Sequence, residues 1–244
     1  MPRLGVNIDH IATLRQARVT TYPDPVDSLT ILKKCHVDQV TVHLREDRRH
    51  IQDRDLIEII KAQMIPVNME MGVTLEMVQI ALRLLPQTCT LVPEKREEIT
   101  TEGGLDCIQH FALLKKQISQ LHKKKIRVSL FIDPDLRQIE KAVELEVEAI
   151  ELHTGTFCEQ FVVNVGAIHE LPLQKEFNRL QKAAHLAHSA GLQVFAGHGL
   201  NSENLPSVVK IREIEEYNIG HSLIARAVFV GLEKAIQEIQ ALLK

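Results

Sequence analysis

Short apolar runs rich in β-branched residues alternate along this chain with longer segments whose apolar residues recur at helical spacing. The short runs are typical of strands and lie at 4–8, 38–43, 66–70, 88–92, 126–132, 148–153, 192–197 and 215–220. The last of them is the weakest, because it has little apolar content before its end. Regular alternation of this kind predicts βαβ units and a parallel sheet.

Segments with helical periodicity fill the intervals between the strands. They run over 24–35, 54–63, 75–85, 105–124, 135–145, 177–191, 202–211 and 222–244. Eight units in 244 residues give about 30 residues each, the size of one unit in a closed barrel. No linker rich in Pro, Gly or Ser divides the chain. The pattern therefore predicts one domain over 1–244, a (β/α)8 barrel of the TIM type, with an open doubly wound sheet as the alternative.

Composition narrows the classes of partner and compartment. The net charge is -3 and 32 acidic residues oppose the basic ones, which argues against a nucleic-acid-binding face. Four separated cysteines without a CxxC pair indicate reduced thiols rather than a zinc ribbon or a disulfide framework. No stretch resembles a membrane span, and Asn7 and Asp9 interrupt the first apolar segment, so we expect a soluble, cytoplasmic protein.

Polar residues cluster where the predicted strands end. The strand ends carry Asn7, Asp9, His10, His43, Arg45, Glu70, Glu151, His153, His198 and His221. The C-terminal strand ends of such a barrel form the active-site face, so these side chains should converge there. Carboxylates, imidazoles and a guanidinium in one concave site are the usual groups of general acid/base chemistry. Taken singly, each could instead be a hydrogen-bonded structural residue.

Two glycine-containing loops indicate a phosphate site. AGHGL follows the seventh strand and NIGH follows the eighth, and each precedes a helical segment. Backbone N–H groups at a helix N-terminus bind phosphate, and these two loops are the frequent phosphate site of TIM barrels. The alternative is that the glycines only make tight turns.

The segment PEKREEITTEGG (93–104) is much longer than a usual loop between a strand and a helix. At the active-site face it would serve as a lid, although an ordinary solvated loop is nearly as good an interpretation. His43, Glu70, His153 and His198 could also ligate zinc or another divalent cation, and their spacing does not exclude this.

The usual signals of several enzyme classes are missing from the sequence. It has no GxSxG elbow, no GxxxxGK[ST] loop and no GxGxxG turn, which argues against serine acyl transfer, P-loop hydrolysis and dinucleotide binding. Two alternatives stay open: a metal-dependent sugar-phosphate epimerase or aldolase on the same barrel, and a non-catalytic sensor of a phosphate ligand.

Taken in order, the motifs resemble the pyridoxine 5′-phosphate synthase family. They are GVNIDHIATLRQAR, YPDPV, VHLREDRRHI, LVPEKREEITTEGGLD, VSLFID, IELHTG, AGHGL and NIGH followed by RAV. The resemblance implies a (β/α)8 barrel with extra helices, assembled as a homo-octamer built from dimers, with no metal or organic cofactor. It also implies condensation of 3-amino-2-oxopropyl phosphate with 1-deoxy-D-xylulose 5-phosphate to pyridoxine 5′-phosphate, inorganic phosphate and water.

The same resemblance implies roles for individual residues. His43 and Glu70 would be proton acceptors, His198 a proton donor, and Glu151 a group that stabilises transition states. The residues implied for the amino-ketone phosphate are Asn7, Arg18, Gly199, Gly220 and His221. Those implied for the deoxyxylulose phosphate are Asp9, His10, Arg45, His50 and Thr100.

Overall fold

Eight parallel strands close into one barrel in the computed structural model, which describes residues 1–94, 103–164 and 171–244. The strands are β1 (Arg3–Asn7), β2 (Gln39–His43), β3 (Val67–Met71), β4 (Thr88–Leu91), β5 (Arg127–Ile132), β6 (Ala149–His153), β7 (Gln193–Gly197) and β8 (Glu216–Ile219). Every boundary lies within one residue of its predicted position. Because β1 pairs with both β2 and β8, the predicted barrel is confirmed and the open doubly wound sheet is wrong.

Helices surround the barrel. In the described part of the chain they are α1 (Asp9–Gln16), α2 (Ser28–Lys34), α3 (Asp53–Ala62), α4 (Leu75–Leu84), α5 (Phe111–Lys123), α6 (Leu136–Glu144), α7 (Gly155–Asn164), α8 (Leu171–Ser189), α9 (Leu205–Val208), α10 (His221–Val230) and α11 (Leu232–Leu242). Of the helices in these described ranges, none has the length and apolar character required to cross a bilayer.

The helices differ from the predicted segments in several places. Two helices, α1 and α7, follow β1 and β6 directly where none was predicted. The segment 222–244 is two helices rather than one, because Gly231 adopts φ of 82°, which ends α10 and begins α11. The segment 202–211 contains only the single turn α9.

The main hydrophobic core lies between the outer face of the barrel and the helices. Alternate strand residues such as Val40 and Val42 are fully buried there, against helical residues such as Leu56 and Ile59 of α3. Burial on this face fixes the strand register, because a slip of one residue would move the opposite set of side chains outward.

The inner face of the barrel is polar. Gln39 of β2 donates to Glu216 of β8 at 3.0 Å, and Asn218 of β8 donates to Glu151 of β6 at 2.8 Å. Each bond passes an intervening strand, so these side chains lie inside the barrel. Gly5 on β1 leaves room for them, since a Cβ there would lie 1.8 Å from Asn218 Oδ1.

We predict that Gly5→Ala destabilises the barrel by about 1–3 kcal/mol, because the added methyl group overlaps Asn218. Urea denaturation of Gly5→Ala, Asn218→Ala and the double variant measures this. In the Asn218→Ala background the methyl group has no amide to meet, so the cost of Gly5→Ala should fall. Strictly additive free energies would show that the overlap is not the source of the destabilisation.

Candidate active site

A cavity of about 660 Å³ opens at the C-terminal ends of the strands. It is lined by residues from loops that are far apart in sequence, including those after β1, β2, β7 and β8. The resemblance assigns roles to fourteen residues, of which the structure describes thirteen, and all of these except Arg18 line this cavity. Closure of the barrel therefore brings together side chains that are far apart in the sequence and that meet only because of the order of the strands.

One end of the cavity holds two carboxylates joined by an amide. Asn7 Nδ2 donates to Asp9 Oδ2 at 2.9 Å and lies 3.5 Å from Glu70 Oε2. The other oxygen of Asp9 accepts the backbone N–H of His43 at 2.8 Å. The loop after β1 is thereby tied to the ends of β2 and β3, which fixes the position of the His43 backbone.

His43 lies between two further carboxylates. Its Nδ1 is 3.8 Å from Glu70 Oε2, and its Nε2 is 3.0 Å from Glu94 Oε1. Its ring also packs edge-on to that of His50, with centroids 6.2 Å apart. Glu94 has no role in the sequence analysis, because there it is only the first acid of a charged segment.

His50 and Arg45 lie together in the loop after β2. His50 Nδ1 accepts the backbone N–H of Ile51 at 2.8 Å, so a neutral His50 carries its hydrogen on Nε2. Arg45 Nε is buried 3.5 Å from Asp47 Oδ1 and, within the described ranges, makes no hydrogen bond. Both side chains can therefore donate N–H groups to an anion.

The opposite wall is formed by the loops after β7 and β8. His198 and Gly199 adopt φ of 76° and 84°, a left-handed turn that brings this backbone to the cavity. Gly220 precedes the first residue of α10, and a Cβ at Gly220 would lie 3.0 Å from that of Asn7. His221 begins α10 and packs edge-on to His10, with ring centroids 4.8 Å apart.

A second buried carboxylate–imidazole pair stands behind His198. His153 Nδ1 lies 3.0 Å from Asp133 Oδ1, and the His153 ring packs edge-on to that of His198 with centroids 4.8 Å apart. His153 is one of the predicted strand-end residues, whereas Asp133 has no predicted role. The position of Asp133 directly after β5 is a signal that could have identified it.

Comparisons with known proteins decide the family. A family model described as "Pyridoxal phosphate biosynthesis protein PdxJ" matches residues 4–244. Pyridoxine 5′-phosphate synthase from Sulfurihydrogenibium sp. is 52% identical over 244 residues, which cover 99% of this chain and 97% of that protein. The enzyme of the same name from Wolinella succinogenes is 46% identical over 256 residues, covering 98% of each. The chain belongs to this family.

The resemblance inferred from the motifs is thus confirmed, and the chain is an enzyme of the pyridoxine 5′-phosphate synthase kind. Solved structures are similar at the level of the barrel. Phosphoribosyl anthranilate isomerase from Thermococcus kodakaraensis aligns with a TM-score of 0.63 over 100% of this chain and 99% of that one, at 12% identity. Such a likeness shows the fold alone.

Burial sets the charges of the carboxylates in this family member. It raises the pKa of Asp9 to about 6, against the opposing effect of His43, Asn7 and Arg45. Burial also raises the pKa of Glu70 well above its usual range, and the neighbouring carboxyl groups of Glu151 and Asp9 add to the effect. Both shifts favour the protonated forms of these carboxyl groups, so the buried cluster holds protons more readily than its composition suggests.

Glu151, deeper in the barrel, has its pKa raised to about 8. Burial is the main cause and the nearby Glu216 contributes, while the hydrogen bond from Asn218 opposes both. A Cβ at Gly197 would lie 2.0 Å from Glu151 Oε1, so glycine at this position leaves room for the carboxyl group. Glu151 is accordingly a second group that holds a proton at neutral pH.

Burial also keeps imidazoles of the cavity neutral. It lowers the pKa of His50 to about 4, with smaller contributions from the neighbouring His43 and Arg45. Burial lowers the pKa of His10, assisted by His221, and that of His198, assisted by His153. At neutral pH these three rings can therefore donate and accept hydrogen bonds without carrying charge.

Of the residues with implied roles that the structure describes, one lies outside the cavity. Arg18 is exposed, two residues beyond the end of α1, and does not reach the cavity of its own chain. Thr100 and most of the predicted lid lie outside the described residues. Of the lid segment, Pro93 and Gly103 line the cavity.

The structure groups the possible metal ligands differently from the prediction. In the part of the chain that the structure describes, Asp9, His43 and Glu70 place ligand atoms within 4.8 Å of one another. His153 and His198, the other two residues considered for a cation, are not members of this group. The four-residue set suggested by the sequence is therefore not a single site.

The raised pKa of Glu151 predicts a pH-dependent difference in stability between Glu151→Gln and the unchanged protein. Between about pH 4.5 and about pH 8 the unfolded chain releases this proton while the folded chain keeps it, so the carboxyl group costs increasing folding free energy as pH rises. Glutamine does not ionise. Relative to the unchanged protein, Glu151→Gln should therefore gain stability steadily through this window.

Urea denaturation in steps from about pH 5 to about pH 8 measures this difference. Glu233→Gln, at a surface ion pair with Lys34, is the matched control and should give a constant offset. A constant offset for Glu151→Gln as well would contradict the assigned titration.

Proposed function

We propose that the chain condenses 3-amino-2-oxopropyl phosphate with 1-deoxy-D-xylulose 5-phosphate to form pyridoxine 5′-phosphate, inorganic phosphate and water. The observation that carries this proposal is a single cavity in which proton-holding carboxylates and neutral imidazoles lie between two groups of anion-binding donors. Joining two phosphorylated substrates requires two such groups of donors. Forming and dehydrating a Schiff base requires groups that give and take protons near neutral pH.

In this proposal the phosphate that stays on the product binds at Gly199 and Gly220. Backbone N–H groups at the start of α10 offer donors, and the helix N-terminus favours negative charge. Asn7 and His221, which line the same part of the cavity, would orient the amino-ketone. Holding this phosphate throughout turnover would keep the reacting atoms of each intermediate in place.

The phosphate that leaves would bind at Arg45 and His50. Arg45 brings a permanent positive charge, and His50 Nε2 brings an N–H donor that is fixed by the bond from Ile51 to Nδ1. Asp9 and His10 would bind the sugar hydroxyl groups, and Thr100 is assigned to this substrate by the resemblance. Departure of the phosphate transfers charge to its oxygens, which Arg45 would stabilise.

His43 and Glu70 act as proton acceptors in this scheme. His43 Nδ1 is 3.8 Å from Glu70 Oε2, so a small approach of the two side chains would let a proton taken by one group pass to the other. Because burial raises the pKa of Glu70 and so favours its protonated form, Glu70 would first give a proton to the departing hydroxyl group and then accept one. Glu151, which lies deeper in the barrel, would stabilise charge at the centre of the cavity.

His198 is proposed as the proton donor at ring closure. Its lowered pKa makes the ring neutral at pH 7, so it would first donate a hydrogen bond to the carbonyl oxygen. Substrate phosphates bring negative charge, which raises the pKa of a nearby imidazole. Binding of both substrates would therefore favour the protonated ring when the donor is needed.

The expected homo-octamer built from dimers is also part of the proposal. Val228 and Phe229 of α10 are 65% and 84% exposed, and α10 packs against α1, which is followed by Arg18. Burial of such large apolar side chains is a usual reason for subunit association. We propose that Arg18 contacts the amino-ketone phosphate bound in a partner subunit.

A metal-dependent reaction on the same barrel is the second candidate, and the grouping of Asp9, His43 and Glu70 favours it. Each oxygen of Asp9 already accepts one hydrogen bond, from Asn7 and from the His43 backbone, so a metal would have to use the remaining lone pairs. Following the family resemblance, we propose a reaction that needs neither a metal nor an organic cofactor.

The proposed reaction predicts product only when both substrates are present. Purified protein, treated with a chelator, is mixed with the two phosphates, and pyridoxine 5′-phosphate is followed by absorbance and fluorescence together with released phosphate. We expect equal amounts of the two products and no loss of rate from the chelator. Loss of activity that a divalent cation restores would favour the metal-dependent candidate, and binding without turnover would favour a sensor.

We predict that Arg45→Ala raises the KM for deoxyxylulose phosphate by about 10- to 100-fold, because a charged hydrogen-bond donor to phosphate is lost. The KM for the amino-ketone phosphate should change little, since that substrate is placed at the opposite wall. Steady-state kinetics with each substrate varied in turn measure both values.

Arg49→Ala is the matched control for this variant. Arg49 lies in the same loop, its side chain is 61% exposed, and it pairs with Asp47 rather than lining the cavity. It should behave like the unchanged protein. Equal increases of both KM values in Arg45→Ala would contradict the proposed division between the two phosphate sites.

A further inference from the structure

Glu94 is a buried carboxylate to which neither the sequence analysis nor the proposed reaction gives a role. It lies three residues beyond the end of β4, and its side chain is only 4% exposed. It is not among the described residues that line the cavity, so it would not contact a substrate directly. Its contacts nevertheless lead to the centre of the site.

The Glu94 carboxylate gathers contacts from two neighbouring loops and one strand end. Oε1 accepts the backbone N–H of Gly72 at 3.1 Å and lies 3.0 Å from His43 Nε2, while Oε2 accepts the backbone N–H of Glu46 at 2.9 Å. Burial alone would raise the pKa of Glu94, but the bonds from His43 and the Glu46 backbone hold it below its usual value. Glu94 is therefore ionised at neutral pH.

An ionised carboxylate determines which nitrogen of His43 carries hydrogen. A carboxylate only accepts hydrogen bonds, so the contact with Glu94 requires a hydrogen on Nε2. In the neutral ring this leaves the lone pair on Nδ1, which faces Glu70 at 3.8 Å. The tautomer that Glu94 selects thus directs the basic nitrogen of His43 to the reacting groups.

We propose that Glu94 is the positioning residue of His43, holding its ring in the tautomer with Nδ1 as the base and balancing the charge when Nδ1 takes a proton. This inference rests on the proposed function for the role of His43 as a base. The arrangement has the same logic as an acid that orients a catalytic histidine in other enzymes. The geometry of the ring contact, rather than the backbone bonds alone, gives Glu94 this role.

An amide of the same shape cannot replace this carboxylate. In Glu94→Gln one side-chain oxygen becomes an NH₂ group, which must face either the Glu46 N–H or the pair formed by Gly72 N–H and His43 Nε2. Donor would meet donor in both orientations. If the NH₂ group turns to His43, the ring must present an acceptor at Nε2 and carry its hydrogen on Nδ1, where the base is needed.

Glu94→Gln should therefore lower kcat by about 100-fold with little change in the KM of either substrate. The matched control is Glu233→Gln, which replaces an exposed acid of α11 by the same amide and should keep the normal kcat. Thermal unfolding of each variant measures any loss of folding stability separately from the loss of kcat.

A second measurement determines which ring nitrogens of His43 carry hydrogen, and it does not require turnover. Solid-state ¹⁵N NMR of protein labelled with ¹⁵N-histidine distinguishes protonated from unprotonated ring nitrogens, and the His43 signals are those lost in His43→Gln. We expect His43 in the unchanged protein to carry hydrogen on Nε2 and not on Nδ1. In Glu94→Gln a signal for hydrogen on Nδ1 should appear.

If Glu94→Gln does not fold, Glu94→Ala provides the test, because it leaves space for a small carboxylate. Added formate should restore kcat in this variant, while the uncharged formamide should not. Equal restoration by both, or by neither, would overturn the proposal.

Two results with Glu94→Gln would also overturn it: a normal kcat, or an unchanged His43 tautomer. A lower unfolding temperature accompanied by both would make Glu94 a structural anchor only. If the unchanged protein forms no pyridoxine 5′-phosphate, the proposed reaction is wrong, but the NMR measurement still decides whether Glu94 sets the His43 tautomer. The two failures are thus distinguishable.

Discussion

Pairing of β1 with β8 closes the sheet, and the candidate site depends on this closure. An open sheet would separate Asn7, at the end of β1, from Gly220, at the end of β8. In the barrel a Cβ at Gly220 would lie only 3.0 Å from that of Asn7. The predicted acid/base groups and the predicted phosphate loops therefore belong to one cavity because the first and last strands are hydrogen-bonded neighbours.

Closure also decides the electrostatics, because it places carboxylates where water has little access. Burial raises the pKa of Glu70 and raises that of Glu151 to about 8, while it lowers the pKa of His198 and lowers that of His50 to about 4. The site thus favours the protonated forms of acids that are ionised in water, and it keeps its imidazoles neutral. Such a distribution suits a reaction in which anionic substrates bring the negative charge and the protein must both supply and receive protons.

The strands could be predicted to within one residue because burial on the outer face and polar groups at the strand ends are local properties of the sequence. The helices were predicted less accurately than the strands. Residues 222–244 have one continuous apolar period, yet Gly231 breaks the helix through a backbone angle that periodicity does not record. Similarly, α1 begins directly after β1 within a polar motif, for which candidate site residues but no helix were predicted. Twelve of the fourteen site residues share a cavity because strand order determines that, whereas the position of Arg18 depends on where α1 ends.

The residues that sequence reasoning missed share one physical property. Glu94 and Asp133 each hold the ring of a histidine that is distant along the chain, 51 residues away for His43 and 20 residues away for His153. Neither acid lines the cavity in the described structure, so a search for convergent strand-end groups overlooks both. Each acid acts through one hydrogen bond to an imidazole. Identifying such a bond requires the positions of both partners in space, which the sequence alone does not provide. The barrel fold positions the histidines of the site, and the acid paired with each ring determines which of its nitrogens can accept a proton.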